Sequence, residues 1–400
     1  MRKYLLPENG NFYKANLHCH TTVSDGRLTP EEVKEAYMAE GYSVIAYTDH
    51  DVMIPHPELC DEKFLALNGY EMEVNQAETL PYGRKTCHMC LIAKEPDNLR
   101  QVCYHREKYL FGNAKGYADK VNFDENEPDY VREYTHERIS DMMKRGRDAG
   151  FFVTYNHPNW SMEESRDFCG YNGMHAMEIV NYGCVAEGWD DRNEAEYDSM
   201  LREGKRIFAV ATDDNHNHRS LESPIGRDSF GGYVMIKAPE LEYRAITTAL
   251  ENGDFYASEG GPNITALWFE DGKMHVECDG AKRIVFSCGA RRCRWAGKDG
   301  ELTYSAEYEV RPEDYYVRIR LEDNYGRCTY SSAFLRMSFW GSKYENNPYF
   351  HPSRLQRIEQ GKDIYGKHGH RAYRAGKDTG RKVCRAHGKN EAGCGVFERP

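Results

Sequence analysis

A chain of 400 residues exceeds one comfortable core, so its length predicts a domain of catalytic size with a smaller appendage. Its 40% hydrophobic and 29% charged content is ordinary for a globular protein, and no run of eighteen apolar residues could span a membrane as a helix. The net charge of −11 is uneven, since residues 341–400 carry 13 Lys+Arg against 6 Asp+Glu and leave the rest near −18; such an acidic body disfavours nonspecific duplex binding and needs a local positive site for any anionic substrate.

The opening MRKYLLPENGNFYKANLH has two basic residues but no apolar stretch of leader length, which predicts a cytoplasmic protein. From about residue 12 to 258, apolar runs of strand length alternate with helical patterns: KANLHCH, SVIAYTDH, FLALNGYE, HMCLIA, FFVTYNHP, AMEIVN and RIFAVATDD. That alternation predicts parallel α/β architecture. Thr29 as N-cap, Pro30 in the first turn, Glu32 placed for a capping box and Gly41 past the end predict the first helix. Further helices are predicted over Glu137 to Ala149, Asp191 to Glu203 and Glu240 to Asn252. After GGPNITALWF, short alternating segments separated by Gly, Asp and Pro predict a small all-β domain. The boundaries expected are 1–262 for the catalytic domain, 263–338 for the β domain and 339–400 for a basic, disordered tail.

Thirteen cysteines scattered without regular spacing point to reduced thiols. The CxxC pair, Cys87 and Cys90, falls on a strand, where residues three apart face opposite ways and cannot share an ion.

His18 and His20 lie two apart at the end of an apolar strand, so both rings leave one face and can grip one ion. The same spacing at His368 and His370 has no strand beneath it and reads as solvated. Acidic and imidazole groups recur near the ends of core-like strands: Asp25 in SDG, then His50, Glu71, His157, and Asp214 with His216. In a parallel barrel such positions converge on one rim. His88 departs from this pattern because it begins its run, so it must reach the rim from a differently oriented strand or a loop. Cys19, between two candidate ligands, faces away from them.

NLHCHTTVSDGRLTPEEV followed by GYSVIAYTDHD resembles the opening motifs of the PHP (polymerase and histidinol phosphatase) superfamily, and GYEMEV, HMCLIA, YNHP and TDDNH resemble its later ones in order. HPNW, AMEIVN, ATDDNH and ALENGDFYASEGGP are similar to the subgroup of CehA/McbA-like metallohydrolases. The resemblance covers roughly residues 12–258. It implies a distorted (β/α)7 barrel, PHP/TIM-like, with two or three divalent ions such as Mn, Zn or Fe. By its motifs, His18, His20, Glu71 and Asp214 would hold the first ion. Glu71 would bridge to a second held by His88 and His157, and Asp25, His50 and His216 would hold a third. Glu71, Asp214 and His216 are then the expected catalytic ligands, with a metal-bridging water as nucleophile.

Asp49, Asp51, Asp213, Asn156 and Glu178 flank these ligands, where they could orient imidazoles or cap loops. Arg84, Lys85 and Arg227 are candidates to clamp phosphate oxygens, or else solvated surface charges; His56 and His218 are candidate proton donors to a leaving group. The expected reaction is hydrolysis of a small anionic phosphorylated metabolite or nucleotide, extending to the 5' ends of single-stranded oligonucleotides as in some PHP relatives. The rival readings are a carboxyl-ester, carbamate or amide hydrolase and a metal-binding module without turnover.

Overall fold

The computed structural model describes residues 2–77 and 84–335. The basic tail and the His368/His370 pair lie outside the described residues.

In chain order the elements are β1 (Lys3–Tyr4), β2 (Asn11–Asn16), α1 (Pro30–Ala39), β3 (Tyr42–Tyr47), β4 (Leu65–Asn75), β5 (Thr86–Ala93), α2 (His136–Asp148) and β6 (Phe151–Tyr155). There follow α3 (Ser165–Phe168), β7 (Ala176–Asn181), α4 (Tyr182–Glu187), α5 (Glu194–Arg202), β8 (Phe208–Thr212), β9 (Tyr233–Ala238), α6 (Tyr243–Asn252) and β10 (Phe255–Ser258). The remainder is all β: β11 (Ile264–Glu270), β12 (Lys273–Ala281), β13 (Arg283–Cys288), β14 (Cys293–Ala296), β15 (Thr303–Glu309), β16 (Tyr316–Glu322), β17 (Cys328–Ser331) and β18 (Phe334–Leu335). Among the described residues no helix is long and apolar enough to cross a membrane.

The first helix begins as its residues dictate. The Thr29 hydroxyl accepts the Glu32 N–H, the Glu32 carboxylate accepts the Thr29 N–H, and Pro30 loses no hydrogen bond in the first turn. Val33 and Tyr37 of α1 are buried in one cluster with Tyr42, Ile45 and Tyr47 of β3. On the other side of the sheet strands, Ala15, Val44, Leu67, Ile92, Phe152, Ala176, Val210 and Val234 contribute to a single core cluster, one residue from each of β2 to β9. Burying each larger member contributes about 1.5–3 kcal/mol.

Strands β2, β3 and β4 are parallel, as are β6, β7 and β8. Between these sets β5 runs antiparallel to both β4 and β6, so the sheet is mixed rather than parallel throughout. The hydrogen-bonded order is an open path from β14 to β8, and no closed ladder forms among the described residues. The two ends of the β2–β8 array nevertheless meet just past their strands: the Asp214 N–H donates to His18 O, and the His20 N–H donates to Asn215 O. Close approach replaces a ladder between β8 and β9, where a Cβ on Gly232 would lie 2.1 Å from Thr212 O.

Downstream, β1, β11, β12 and β15 form a four-stranded sheet, while β13, β14, β16 and β17 extend the long sheet through β10. Their apolar faces share one cluster that includes Leu267, Val276, Phe286, Ile319 and Leu321. The pairing of Lys3 with Phe269 and Tyr4 with Trp268 brings the chain's first strand into this β layer.

The loop that carries His157 is anchored by a buried carboxylate. Glu163 accepts hydroxyls from Tyr134 and Tyr155 at 2.5 Å and from Tyr171. Burial pushes the Glu163 carboxyl up to about 7, against the lowering effect of the three hydroxyls. From its ordinary value of 4.5 up to about 7, the folded chain then holds a proton there that the unfolded chain releases. Stability therefore falls as pH rises through that window. Glu163→Gln, uncharged at every pH, should lessen the fall in melting temperature between pH 5 and 8, measured by calorimetry with a chelator present; an unchanged slope would assign the pH dependence to other groups.

Candidate metal centre

Nine side chains from separated stretches of the chain gather at one end of the strands. Glu71 is at their middle. Its Oε1 lies 3.2 Å from His18 Nε2, 3.2 Å from His88 Nδ1 and 3.5 Å from His157 Nε2, and its Oε2 lies 3.3 Å from both His20 Nε2 and His50 Nδ1. Asp214 Oδ1 is 3.1 Å from Nε2 of both His18 and His20. Asp25 reaches His216 Nε2 at 3.4 Å, His20 Nδ1 at 3.5 Å and His50 Nε2 at 3.8 Å.

Three overlapping groups have donor atoms close enough to share an ion: His18, His20, Glu71 and Asp214; His20, Asp25, His50 and His216; and His50, Glu71 and His88. The first matches the set expected from the motifs. The second adds His20 to the expected trio. In the third, His50 stands where His157 was expected, with the His157 ring 4.8 Å from that of His88.

The local backbone explains the convergence. His18 and His20 follow β2, His50 follows β3, His157 follows β6, and Asp214 and His216 follow β8. Because β5 is antiparallel, His88 near its start lies at the same end and pairs with Glu73 of β4. Glu71 lies within β4 rather than at its end. Asp51, His157 and Asp214 have φ of 59°, 27° and 51°, a costly conformation for such residues that is concentrated at these strand ends.

The flanking polar residues hold the cluster in place. Glu178 Oε1 is 2.7 Å from His18 Nδ1 and accepts the Thr212 hydroxyl, while Oε2 accepts the His157 N–H and an Asn181 amide N–H. Asn156 donates to Glu71 Oε1 at 2.9 Å. Asp49 takes the N–H and hydroxyl of both Thr21 and Ser24, which folds the turn leading to Asp25. Asp213 accepts the Tyr37 hydroxyl and the N–H groups of Phe230, Gly231 and Gly232.

Asp51 pairs at 2.5 Å with Arg132, a buried cation that sequence patterns did not single out. Arg132 also donates to Glu73 O and lies over the Tyr109 ring, so it ties the irregular stretch after β5 to the strand that bears Glu71.

Electrostatics shows what the cluster lacks. Burial disfavours the charged form of His20 and His88, yet Asp214 and Glu71 for the first, and Glu71 and Glu73 for the second, raise both to about 10. His50 is pushed down to about 3 by burial and by the positive charge of His20. Burial opposes ionisation of Glu71, but His18, His88 and His50 hold it well below the usual carboxylate range. Protons here supply positive charge that divalent cations could supply instead. In keeping with this, His20 Nδ1, His50 Nδ1, His88 Nε2 and Asp214 Oδ1 are buried without hydrogen-bond partners, which native structures rarely tolerate. Imidazole and carboxylate donors in this arrangement fit divalent ions.

Above the cluster is a cavity of about 260 Å³. Its walls include Phe111, Trp160, Cys184, Glu187, Asp228 and His218. Phe111 lies against His50, and Trp160 lies edge-on to His88 and His157. Of the residues marked for substrate, only His218 lines the cavity, stacked on His216 at 5.8 Å. The other four do not line it. Lys85 is paired with Asp167 and Glu164, and Arg84 donates to Gln76 O. Arg227 donates to Leu221 O, and His56 is buried against Tyr47 and Glu58.

Cys19 is buried in the α1 cluster, as expected, and burial raises its thiol pKa well above the ordinary range. Cys87 belongs to the outer core while Cys90 accepts from Asn156, so the two do face opposite ways.

Glu178→Gln should lower metal affinity by about 10- to 100-fold, the usual effect of losing a carboxylate that orients a ligating imidazole. Titration of the metal-free protein with Mn²⁺ or Zn²⁺ by calorimetry checks this, and unchanged affinity would leave Glu178 a purely structural role.

No family model matches the chain. A 40-residue stretch is 48% identical to a 5'-3' exoribonuclease of Haemophilus influenzae; it makes up 10% of this chain, which therefore spans only 15% of that curated relative. A solved two-domain protein of Bacteroides vulgatus, assigned a PHP-like metal-dependent phosphoesterase, is 16% identical with a TM-score of 0.38, over 83% of this chain and 98% of that one. A Bifidobacterium adolescentis protein assigned as a metal-dependent phosphoesterase is 16% identical with a TM-score of 0.33, over 56% and 92%. An amidohydrolase from Chromobacterium violaceum, with bound sulfate and no metal, is 19% identical with a TM-score of 0.32, over 50% and 87%. What the residues themselves show is a donor set able to hold divalent ions.

Proposed function

We propose that the chain is a metal-dependent hydrolase of the PHP type that cleaves a phosphoester, within a barrel-like array of strands that its C-terminal β strands extend. The observation that carries this reading is the set of six imidazoles and three carboxylates at the floor of one cavity, with four buried donor atoms left unsatisfied. Two or three divalent ions held there would polarise the scissile group and lower the pKa of water. Glu71, which belongs to two of the donor groups, would be among the residues that hold them. His218, at the mouth, has Nδ1 3.2 Å from Arg27 Nε. With Nδ1 accepting that N–H, Nε2 carries the proton and is placed to give it to a departing oxygen.

A second reading, hydrolysis of a carboxyl ester, carbamate or amide as in the CehA/McbA-like subgroup, is favoured by one feature. Among the described residues no Lys or Arg lines the cavity, whereas Phe111 and Trp160 do. A phosphate would then find its positive charge in the ions alone. A panel of 4-nitrophenyl phosphate, bis(4-nitrophenyl) phosphate and 4-nitrophenyl acetate, tested with Mn²⁺, Zn²⁺ and Fe²⁺, separates the readings. Faster turnover of the phosphoesters over the acetate, relative to the uncatalysed rates, is the expected outcome; turnover of acetate alone selects the second reading, and none at all selects a module without turnover.

The ligands should not respond uniformly to mutation. Glu71→Gln removes the charge shared by the cluster and should abolish activity even in excess metal. His216 belongs to only one of the three donor groups, with its ring nitrogens 3.4 Å from Asp25 and 3.9 Å from Asp214, and so is more peripheral. His216→Ala should lose about one ion per chain, with part of the rate restored by added metal through mass action. Metal analysis beside the rate assay checks both, and full activity of Glu71→Gln would remove it from the centre.

A further inference from the structure

Strand β14 is the last of the long sheet, and its register pairs Trp295 with Val285 of β13; on the other side of β13, Arg283 pairs with Glu322 of β16. Alternate residues of a strand share a face, so Trp295, Val285, Arg283 and Glu322 stand on one side of the sheet. Ile284 and Phe286, which alternate with them, are buried in the core of the β layer on the other. Trp295 is 66% exposed and lines a cleft of about 550 Å³. Two residues further on is Gly297, where a Cβ would lie 2.8 Å from Lys282 O and 3.7 Å from Trp295 Cζ3. A side chain there would sit against the indole, and glycine leaves that part of its six-membered ring uncovered. The turn at 298–301 and the end of β16, at Glu322 and Asn324, complete the lining.

The charges of the lining balance. Lys282, Arg283 and Lys298 are matched by Asp299, Glu301 and Glu322, with Arg283 paired to Glu322 and Lys298 to Glu301. The side chains of Lys282, Asp299 and Asn324 offer an ammonium, a carboxylate and an amide without a hydrogen-bond partner among the described residues. A lining of mixed sign selects neither an anion nor a cation, since either would meet its own charge there. It suits a neutral ligand whose polar groups both donate and accept, as hydroxyls do. An uncovered indole beside those groups offers an apolar face to the C–H bonds of a saturated ring. A ring with an apolar face and a rim of hydroxyls is a pyranose. Guarding a free sheet edge accounts for Arg294, which pairs Phe286 and so faces the other way, but not for the indole.

We infer that the cleft beside Trp295 binds a neutral carbohydrate, with one pyranose stacked on the indole and its hydroxyls shared among Asp299, Asn324 and Lys282. Its volume falls within the roughly 300–1,000 Å³ of small-molecule sites. None of its lining residues lines the metal cavity, so the site is independent of the reaction performed there.

The test is isothermal titration calorimetry of the full chain with cellotriose, mannotriose, galactotriose and triacetylchitotriose. At least one should bind with a Kd of about 1 mM or tighter. Trp295→Ala should weaken that binding by at least about ten-fold, and Asp299→Ala with Asn324→Ala by roughly three- to thirty-fold, at unchanged melting temperature. Arg294→Glu, on the opposite face, should leave it unchanged. These positions are exposed, so the variants should fold. Failure of all the sugars to bind would overturn the proposal, as would undiminished binding by Trp295→Ala. Trigalacturonate bound more tightly than galactotriose would also overturn it, showing an anion site. Sedimentation of the same samples supplies the remaining arm: a dimer that Trp295→Ala dissociates would assign the indole to self-association instead.

Discussion

Glu71 is buried to 1% exposure with imidazoles on both oxygens, and the nearest cations that could balance it, other than those rings, belong to no Lys or Arg of the cavity lining. An ionised carboxylate in such a place is costly unless positive charge and hydrogen bonds surround it. Asp214 and Asp25 add two more carboxylates within reach of the same rings. The cluster is therefore stable only as a unit, and what completes it must be positive: protons on histidines such as His20 and His88, or divalent ions in their place. The surrounding network serves that unit. Glu178, Asn156 and Asp49 each bond a ligand or the turn beside one, so the donor atoms are held in position before any ion arrives.

The fold supplies the unit by bringing strand ends together rather than by any local motif. Past β2 and β8 the chain exchanges hydrogen bonds between His18, His20 and the 214–215 segment, which places ligands from distant stretches side by side. Past β3, a bridge between His50 and Glu71 does the same for β4. The positive φ of Asp51, His157 and Asp214 is backbone strain at those junctions, offset by the network around them.

Much of this was legible in the residues, for a physical reason. HxH, SDG, TDH and TDDNH put polar ligands immediately after apolar strands, and strand ends are where a parallel sheet collects its site. Helix α1 was legible because its cap is a local contract between Thr29, Pro30 and Glu32. The reversal of β5 left a trace in His88, which opened its run instead of closing it. What stayed hidden depends on long-range packing. The two-residue β1 has too little pattern to reveal its pairing with β11. Phe111 and Arg132 come from an irregular stretch whose path no periodicity betrays, and Trp160 from a loop ordered by Glu163. Lys85 and Arg84 drew notice by closeness in sequence to His88, yet just before a strand the side chain is free to turn either way, and Lys85 turned to Asp167.

Divalent ions held at the floor would stabilise a developing oxyanion on phosphorus or on a carbonyl alike. Selectivity must then come from the walls. These are aromatic on two sides, where Phe111 and Trp160 pack directly on ligating rings, and acidic near the mouth at Glu187 and Asp228. Asp228 is committed to the N–H groups of His216 and Asn217, so it shapes the floor as well as the mouth. Glu187 sits at the end of α4, outside that network. A cavity with divalent ions held below and carboxylates above would draw one anionic group down to the ions and resist a second at the rim. With the proposed ions in place, that polarity would favour a small ester with a single reacting group over a compact polyanion.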